Sequence, residues 1–183
     1  MEVEITQIKK DTNIGGFSIE TILKENREKY EKIYKDLLHD KDTAHNKELI
    51  QFLKNIREAC KADKGKLYKN IIHNGQMEYL NNITKNKDEY YTISWTDVFP
   101  TNYKYLIGQI ITAKADNLEK FVIRKGKYAF CKFSKGYDID DAWQKFFCGI
   151  SKIGYKPIED IGAGFNYYSN GLDGKYELWH WVR

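Results

Sequence analysis

The stretch that decides the fold is residues 126–155, GKYAFCKFSKGYDIDDAWQKFFCGISKIGY. Its first part follows a Lys-Gly-Lys turn and is rich in aromatic residues, which predicts a strand over residues 127–133. Apolar residues then recur at three- and four-residue steps, which predicts a helix over residues 138–153. Aspartates cluster near the predicted start, where the helix dipole favours them, and Gly154 is placed to end the helix. The apolar face of this helix consists of Ile139, Trp143, Phe146, Phe147, Ile150 and Ile153.

The same order of parts occurs twice along the chain. The first half has predicted strands at 3–8, 14–22, 90–95 and 105–112, with helical segments between residues 26 and 60. The second half has predicted strands at 119–124, 127–133, 165–169 and 175–182, with the helix at 138–153. The segment Val3-Glu-Ile-Thr-Gln-Ile-Lys-Lys also resembles Leu118-Glu-Lys-Phe-Val-Ile-Arg-Lys. We therefore predict one domain over residues 1–183, with repeat one at about 1–112, including a helical insertion, and repeat two at about 113–183.

The predicted fold class is α+β, built from two pseudo-symmetric strand-helix-hairpin repeats. Each half offers antiparallel strands and one apolar helix face, so the helices should cover one face of the sheets. Two strongly twisted sheets that meet at a pseudo-two-fold axis leave a concave groove, which is a natural ligand site. Within the first half, a helix over 47–60 is expected to end near Lys64-Gly65. Residues 67–72 fit either a short helix or a strand.

The amino-acid composition is compatible with a folded domain that binds a flat aromatic ligand, but it does not identify a function. Of 183 residues, 42% are hydrophobic, which suits a folded core, and 15% are aromatic. The aromatic excess fits an aromatic core, a cleft that stacks a flat ligand, or both. The net charge is +4 and the lysines are spread along the whole chain, so nucleic-acid binding is not indicated.

Several functional classes find no support in the sequence. The N-terminus does not resemble a signal peptide and no apolar stretch could span a bilayer, so we expect a cytoplasmic protein without a membrane partner. The three scattered cysteines read as reduced residues of such a protein. The four histidines show no metal-ligand spacing, so no metal is expected. No cofactor loop or nucleophile elbow is present, so no cofactor is expected and no catalytic residue can be named. The oligomeric state is not indicated.

Several segments, most of them in the second half, resemble the GyrI-like family, also known as AraC-type effector-binding domains. The segment Gly126-Lys-Tyr-Ala-Phe-Cys-Lys-Phe is similar to a family strand that reads G-x-Y-A-x-F, and Asp141-Ala-Trp-Gln-Lys-Phe-Phe is similar to the helix start. Phe165-Asn-Tyr-Tyr168 stands where the family has F-E-x-Y, and Glu177-Leu-Trp-His-Trp-Val182 resembles its closing E-I-W-I-P-V. The match covers residues 90–183 well and the first half weakly.

The resemblance implies a small-molecule-binding domain. Many members are sensor domains of transcription regulators that bind hydrophobic, often cationic, molecules in the central groove. Others hydrolyse small electrophilic compounds, and one branch inhibits a DNA topoisomerase. This sequence departs from the family pattern at two positions. Asn166 replaces the family's pocket glutamate, which argues against cation binding and hydrolysis that depend on a buried carboxylate. Trp181 replaces a proline.

Strand geometry suggests a substitute for the missing carboxylate. If residues 165–169 and 175–182 form a hairpin centred between residues 171 and 172, Asn166 lies opposite Glu177. Tyr168, Trp179 and Trp181 would then share the same face, because side chains alternate along a strand. That face would suit a flat cation. The alternative is that the indoles are packing residues and that Glu177 is solvated.

The equivalent strand of the first half offers two weaker ligand-binding candidates, Tyr91 and Trp95. His180 would face the helices as a core histidine.

Three functions remain open at this point. The first is capture of an aromatic or cationic small molecule, in which Glu177→Gln would weaken binding of a cationic dye by roughly 1 to 3 kcal/mol. The second is a hydrolase in which Glu177 is the base and Tyr168 a donor, which Asn166 argues against. The third is a module that binds a protein, such as a transcription regulator.

Overall fold

The computed structural model describes residues 2–22, 44–84, 86–98, 102–112, 115–134, 136–158 and 162–183. In these ranges the strands are β1 (Glu4–Ile8), β2 (Thr12–Ile22), β3 (Tyr90–Val98), β4 (Asn102–Ile110), β5 (Glu119–Ile123), β6 (Gly126–Phe133), β7 (Gly164–Tyr168) and β8 (Tyr176–Trp181). The helices are α1 (Ala44–His73), α2 (Gln76–Ile83) and α3 (Ile139–Lys152). The part of the predicted helical segments between residues 26 and 43 lies outside the described residues.

The eight strands form one antiparallel sheet in the order β1-β6-β8-β7-β3-β4-β2-β5. Read outward from the β7–β3 seam, the order is β7, β8, β6, β1 on one side and β3, β4, β2, β5 on the other. Each side thus repeats the other, and its outermost strand comes from the opposite half of the chain. The predicted similarity of residues 3–10 and 118–125 corresponds to these two exchanged strands, β1 and β5. The predicted α+β class is confirmed.

The sheet is strongly curled, as its connections require. Only Arg124 and Lys125 separate β5, at one edge, from β6, next to the other edge. The Cα atoms of Ile123 and Gly126 can lie at most about 11 Å apart along the chain. In a flat sheet those strands would be about 29 Å apart, because six strand spacings separate them. Curling therefore brings the two edges together.

Helix α1 runs past its predicted end. The sequence placed the boundary near Lys64-Gly65, but the helix continues to His73. Leu67 and Ile71 are buried on the face that packs against the sheet, and their contacts with the core outweigh the poor helix propensity of one glycine. Gly65 does not have a positive φ. Residues 67–72, for which helix and strand were both open, are helical.

The two faces of the sheet bury separate cores. On the helix-covered face, α3 packs through Phe146 and Ile150 onto β6 and β8, and α1 and α2 pack onto β2, β3 and β4. The opposite, helix-free face is closed by the curl, and its side chains pack on one another. The buried members of that inner cluster are Ile14, Ile93, Leu106, Ile123, Tyr128 and Phe165. No helix within the described ranges is long and apolar enough to cross a bilayer.

Candidate functional site

A cavity of about 910 Å³ lies on the helix-covered face, above the β3–β7 seam. Helix α3 lies over one half of the sheet and helix α1 over the other, so the seam between the two halves is left without a helix above it. The sequence predicted a central groove on the face away from the helices, but that face is filled by the inner cluster. The lining residues are Lys64, Thr92, Ser94, Trp95, Tyr105, Ile139, Trp143, Phe147, Pro157, Ile158, Gly162, Ala163, Gly164, Phe165, Asn166 and His180.

The floor of the cavity carries a buried polar pair. Thr92 of β3 and Asn166 of β7 face each other across the seam, and Asn166 Nδ2 donates a hydrogen bond to Thr92 Oγ1 at 2.8 Å. The residues are only 3% and 7% exposed. Asn166 Oδ1 has no hydrogen-bond partner among the described residues. A buried acceptor left unpaired costs about 1–3 kcal/mol.

Two phenols adjoin this pair. Burial raises the pKa of Tyr105 well above its ordinary value, and a hydrogen bond with Thr92 opposes the rise. Burial also raises the pKa of Tyr168, against hydrogen bonds with Thr92 and Asn166. Both hydroxyls therefore stay protonated at neutral pH and add no negative charge to the floor.

One wall of the cavity is aromatic. Trp143 and Phe147 project from α3, with ring centroids 5.4 Å apart, and His180 of β8 meets both rings edge-on. Gly164 makes room for them, since a Cβ there would lie 2.9 Å from His180 Cδ2 and 3.0 Å from Trp143 Cη2. Trp95 lines the cavity from β3 and contacts Phe121.

His180 is a neutral member of that wall. Desolvation lowers the pKa of its imidazole below the ordinary value, and a hydrogen bond to the Trp181 carbonyl partly opposes this. Nδ1 lies 2.9 Å from that carbonyl oxygen, which can only accept, so the neutral ring carries its proton on Nδ1.

Charge is sparse in the part of the cavity lining that the structure describes. Among the described lining residues, the charged side chain is Lys64 of α1, whose Nζ lies 4.8 Å from the centroid of the Tyr105 ring. None of those residues carries a carboxylate.

The hairpin register differs from the predicted one by a single residue. Asn166 pairs with Leu178, Tyr167 with Glu177 and Phe165 with Trp179. The connecting loop contains a turn in which Gly174 N donates to Gly171 O, and the hairpin is centred on residue 172. The predicted pairing of Asn166 with Glu177 is therefore wrong, because a shift of one residue moves every side chain of a strand to the other face.

The predicted ligand-binding residues are consequently divided between the two faces. Asn166 and Trp95 line the cavity, and Trp95 also packs against the inner cluster of the helix-free face. Tyr168 shares the Asn166 face and packs against Tyr176. The other four, all on the helix-free face, are Tyr91, Glu177, Trp179 and Trp181.

Those four residues find partners within the protein. Trp179 Nε1 donates to Glu177 Oε2 at 2.9 Å, and its ring stacks on Phe130 at 4.7 Å. Trp181 stacks on Tyr128 at 6.4 Å, and Tyr91 packs against Tyr167 at 5.2 Å. The residues proposed as hydrolase base and donor, Glu177 and Tyr168, lie on opposite faces of the sheet.

The sequence reasoning missed several cavity residues. Trp143 and Phe147 were assigned to the apolar face of α3 without a ligand role, and His180 was assigned to the core. The available signal was the breadth of that helix face. Its margins, Ile139 and Phe147, are 36% and 37% exposed, so the helix presents more apolar surface than the sheet covers.

Solved structures identify the fold. SAV2435, a GyrI-like effector-binding domain solved with bound tetraphenylphosphonium, aligns with a TM-score of 0.65 at 9% identity, covering 100% of this chain and 94% of that one. The chain has the GyrI-like effector-binding fold. A putative transcription regulation protein from Staphylococcus aureus MU50 also shares this GyrI-like fold, with a TM-score of 0.57 at 11% identity and coverage of 100% and 99%.

A third structure aligns with this GyrI-like fold, and sequence comparison adds no relative. The integron cassette protein VCH_CASS2 of Vibrio cholerae aligns with a TM-score of 0.53 at 14% identity, covering 100% and 96% of the two chains. No protein-family model matches the sequence, and no curated protein matches it either.

Proposed function

We propose that this protein binds a hydrophobic, aromatic small molecule in the cavity above the β3–β7 seam. The observation that carries the proposal is the cavity itself, about 910 Å³ with aromatic walls and one buried polar pair in its floor. Ligand sites in proteins are typically concave and mostly apolar, with a few polar groups that orient the ligand.

The comparison with SAV2435 supports a small-molecule role. That protein holds tetraphenylphosphonium, a ligand with four aromatic rings, on the same fold. The present cavity offers aromatic side chains from two sheet strands and from α3, which suits ring stacking.

The proposed ligand contacts combine predicted and newly found residues. Asn166 and Trp95 were predicted from the sequence, and we add Thr92, Trp143 and His180. Binding without catalysis is the simplest function for this site, because the carboxylate proposed as a base faces away from it. A regulator or other protein partner stays a prediction.

The test is a thermal-shift screen of aromatic compounds, both neutral and cationic, with tetraphenylphosphonium among them. A ligand that binds the folded state raises Tm by mass action. Ser94 lines the cavity and is exposed, so Ser94→Trp should fill the site without disturbing the core. Ser169→Trp, at an exposed position just after β7, is the matched control.

We expect hits to stabilise the wild type, the Ser169→Trp variant and Glu177→Gln, and to leave Ser94→Trp unchanged. The proposal is rejected if no compound raises Tm, or if the Ser94→Trp variant responds like the wild type.

A further inference from the structure

The imidazole of His180 presents one of its two nitrogens to the cavity. Nδ1 is engaged, because it lies 2.9 Å from the Trp181 carbonyl oxygen and donates to it. The opposite edge of the ring, formed by Cδ2 and Nε2, leans over Gly164 of β7, where a Cβ would lie 2.9 Å from Cδ2. Because β7 lies between β8 and the β3–β7 seam, this edge faces the cavity that His180 lines.

The nitrogen Nε2 is unpaired and can be reached from the cavity. The hydrogen bond to Trp181 is the one that His180 makes with the described residues. The described side-chain nitrogen and oxygen atoms that are buried without a partner are Gln76 Oε1, Gln109 Oε1 and Asn166 Oδ1. Nε2 also has no partner, but it is not one of these buried atoms, so part of its surface is accessible.

This accessible nitrogen is a hydrogen-bond acceptor. Desolvation lowers the pKa of His180, so the ring is neutral at neutral pH and carries a lone pair on Nε2. Trp143 and Phe147 of α3 meet the ring edge-on, with centroids 6.2 and 5.1 Å away, and hold it in place. A ligand that covers Nε2 without donating a hydrogen bond displaces solvent from an acceptor and loses affinity.

From these observations we infer that the cavity prefers an aromatic molecule that carries an O–H or N–H group, and that His180 Nε2 accepts the hydrogen bond from this group. The inference rests on the proposed function and specifies its ligand class. Trp143 and Phe147 would contact the aromatic part of the ligand, because both line the cavity beside the imidazole.

Three naphthalenes of similar shape test the need for a donor. 2-Naphthol carries one O–H group, 2-methylnaphthalene has the same size without a polar atom, and 2-methoxynaphthalene keeps the oxygen but cannot donate. Each is titrated by calorimetry at neutral pH, where 2-naphthol is uncharged, against the wild type and His180→Phe. Phenylalanine keeps an aromatic ring beside Trp143 and Phe147 but has no acceptor. His73→Phe, at an exposed position at the end of α1, is the matched control.

The expected result is a change in relative affinity. The affinity of 2-naphthol, divided by that of either donor-free analogue, should be about tenfold higher in the wild type than in His180→Phe, the usual worth of one hydrogen bond. Taking this ratio within each protein removes the difference in hydrophobicity between the probes. His73→Phe should show the wild-type ratio.

The imidazole itself gives a second readout in the wild type. The ¹⁵N signal of a histidine nitrogen moves upfield when that nitrogen accepts a hydrogen bond. We expect 2-naphthol to shift the Nε2 signal of His180 in this direction and the two analogues to leave it in place. This measurement decides the question even if His180→Phe does not fold.

The failures can be told apart. The inference is overturned if the affinity ratio of His180→Phe equals that of the wild type, or if the Nε2 signal does not respond to 2-naphthol. Loss of the preference in Ser94→Ala but not in His180→Phe would assign the donor to the serine hydroxyl and would also overturn it. If the wild type binds none of the three naphthalenes, the inference falls, while hits in the thermal-shift screen leave the proposed function intact. If that screen gives no hit either, both fall.

Discussion

The Thr92–Asn166 pair makes a sharp prediction about stability. Thr92→Val keeps the side-chain shape but removes the hydroxyl that accepts from Asn166 Nδ2 at 2.8 Å. The variant loses that bond and leaves a buried donor unpaired, which should cost about 2 kcal/mol. For a chain of this length, such a loss should lower Tm by roughly 4 to 8 °C.

The assay is urea unfolding of Thr92→Val, Asn166→Leu and the double variant, with Ser94→Ala as control. Ser94 lies on the same face of β3 but is exposed, so its hydroxyl should contribute less than about 0.5 kcal/mol. The double variant should lose less than the sum of the single variants, because neither member of the Thr92–Asn166 pair then remains without the other. Additive losses, or a Thr92→Val variant as stable as Ser94→Ala, would refute the buried pair.

Three further predictions concern α1, α3 and His180. Gly65→Ala should raise the free energy of unfolding by about 0.5–1 kcal/mol, since Gly65 is inside α1 with open space around it. If urea unfolding instead shows a lower free energy of unfolding, the helix ends at Gly65. Phe146→Ala should lower the free energy of unfolding by about 3–5 kcal/mol because that ring is fully buried. The Phe147 ring is 37% exposed, so Phe147→Ala should lower stability much less, but it should weaken ligand binding measured by calorimetry. Equal stability losses would contradict the assigned helix face. Desolvation lowers the pKa of His180 in the folded state, so the unfolded chain binds the proton first and stability should fall as pH drops below about 6.5. Urea unfolding at several pH values should show a smaller change of stability with pH in His180→Gln and an unaltered one in His73→Gln, a control at an exposed site. If the pH dependence of His180→Gln equals that of the wild type, His180 does not cause it.

The strands and the repeat could be predicted because they depend on local pattern. The strand at 127–133 and the helix at 138–153 each show their own hydrophobic period, and both lie within a residue of the observed β6 and α3. The order of parts, repeated in the two halves, then predicted a symmetric sheet. Antiparallel pairing of such repeats follows from short connections.

The register of the last hairpin could not be predicted in the same way. It depends on the turn between Gly171 and Gly174, where one residue decides which face Glu177 occupies. Alternation along β8 correctly placed Glu177 and Trp179 on one face. It could not show which residues of β7 lie on that same face.

The side of the sheet that holds the cavity also depends on long-range structure. The helix-free face is closed because a short connection joins β5 to β6. That connection forces the sheet to curl only because β5 pairs with β2, at the far edge of the sheet. The indole rings of Trp179 and Trp181 are then packed inside the curl. Sequence composition shows the aromatic excess, but the pairing of distant strands decides which rings are core and which line the cavity.

The four tryptophans allow the most direct test of where the ligand binds. Trp95 and Trp143 line the cavity, although Trp95 also packs against the inner cluster, whereas Trp179 and Trp181 belong to that cluster and do not line the cavity. Their indole N–H signals can be followed by NMR while the best compound of the thermal-shift screen is added. We predict that the signals of Trp95 and Trp143 move and that those of Trp179 and Trp181 stay in place. Movement of the Trp179 and Trp181 signals with Trp95 and Trp143 unchanged would contradict a ligand site above the β3–β7 seam.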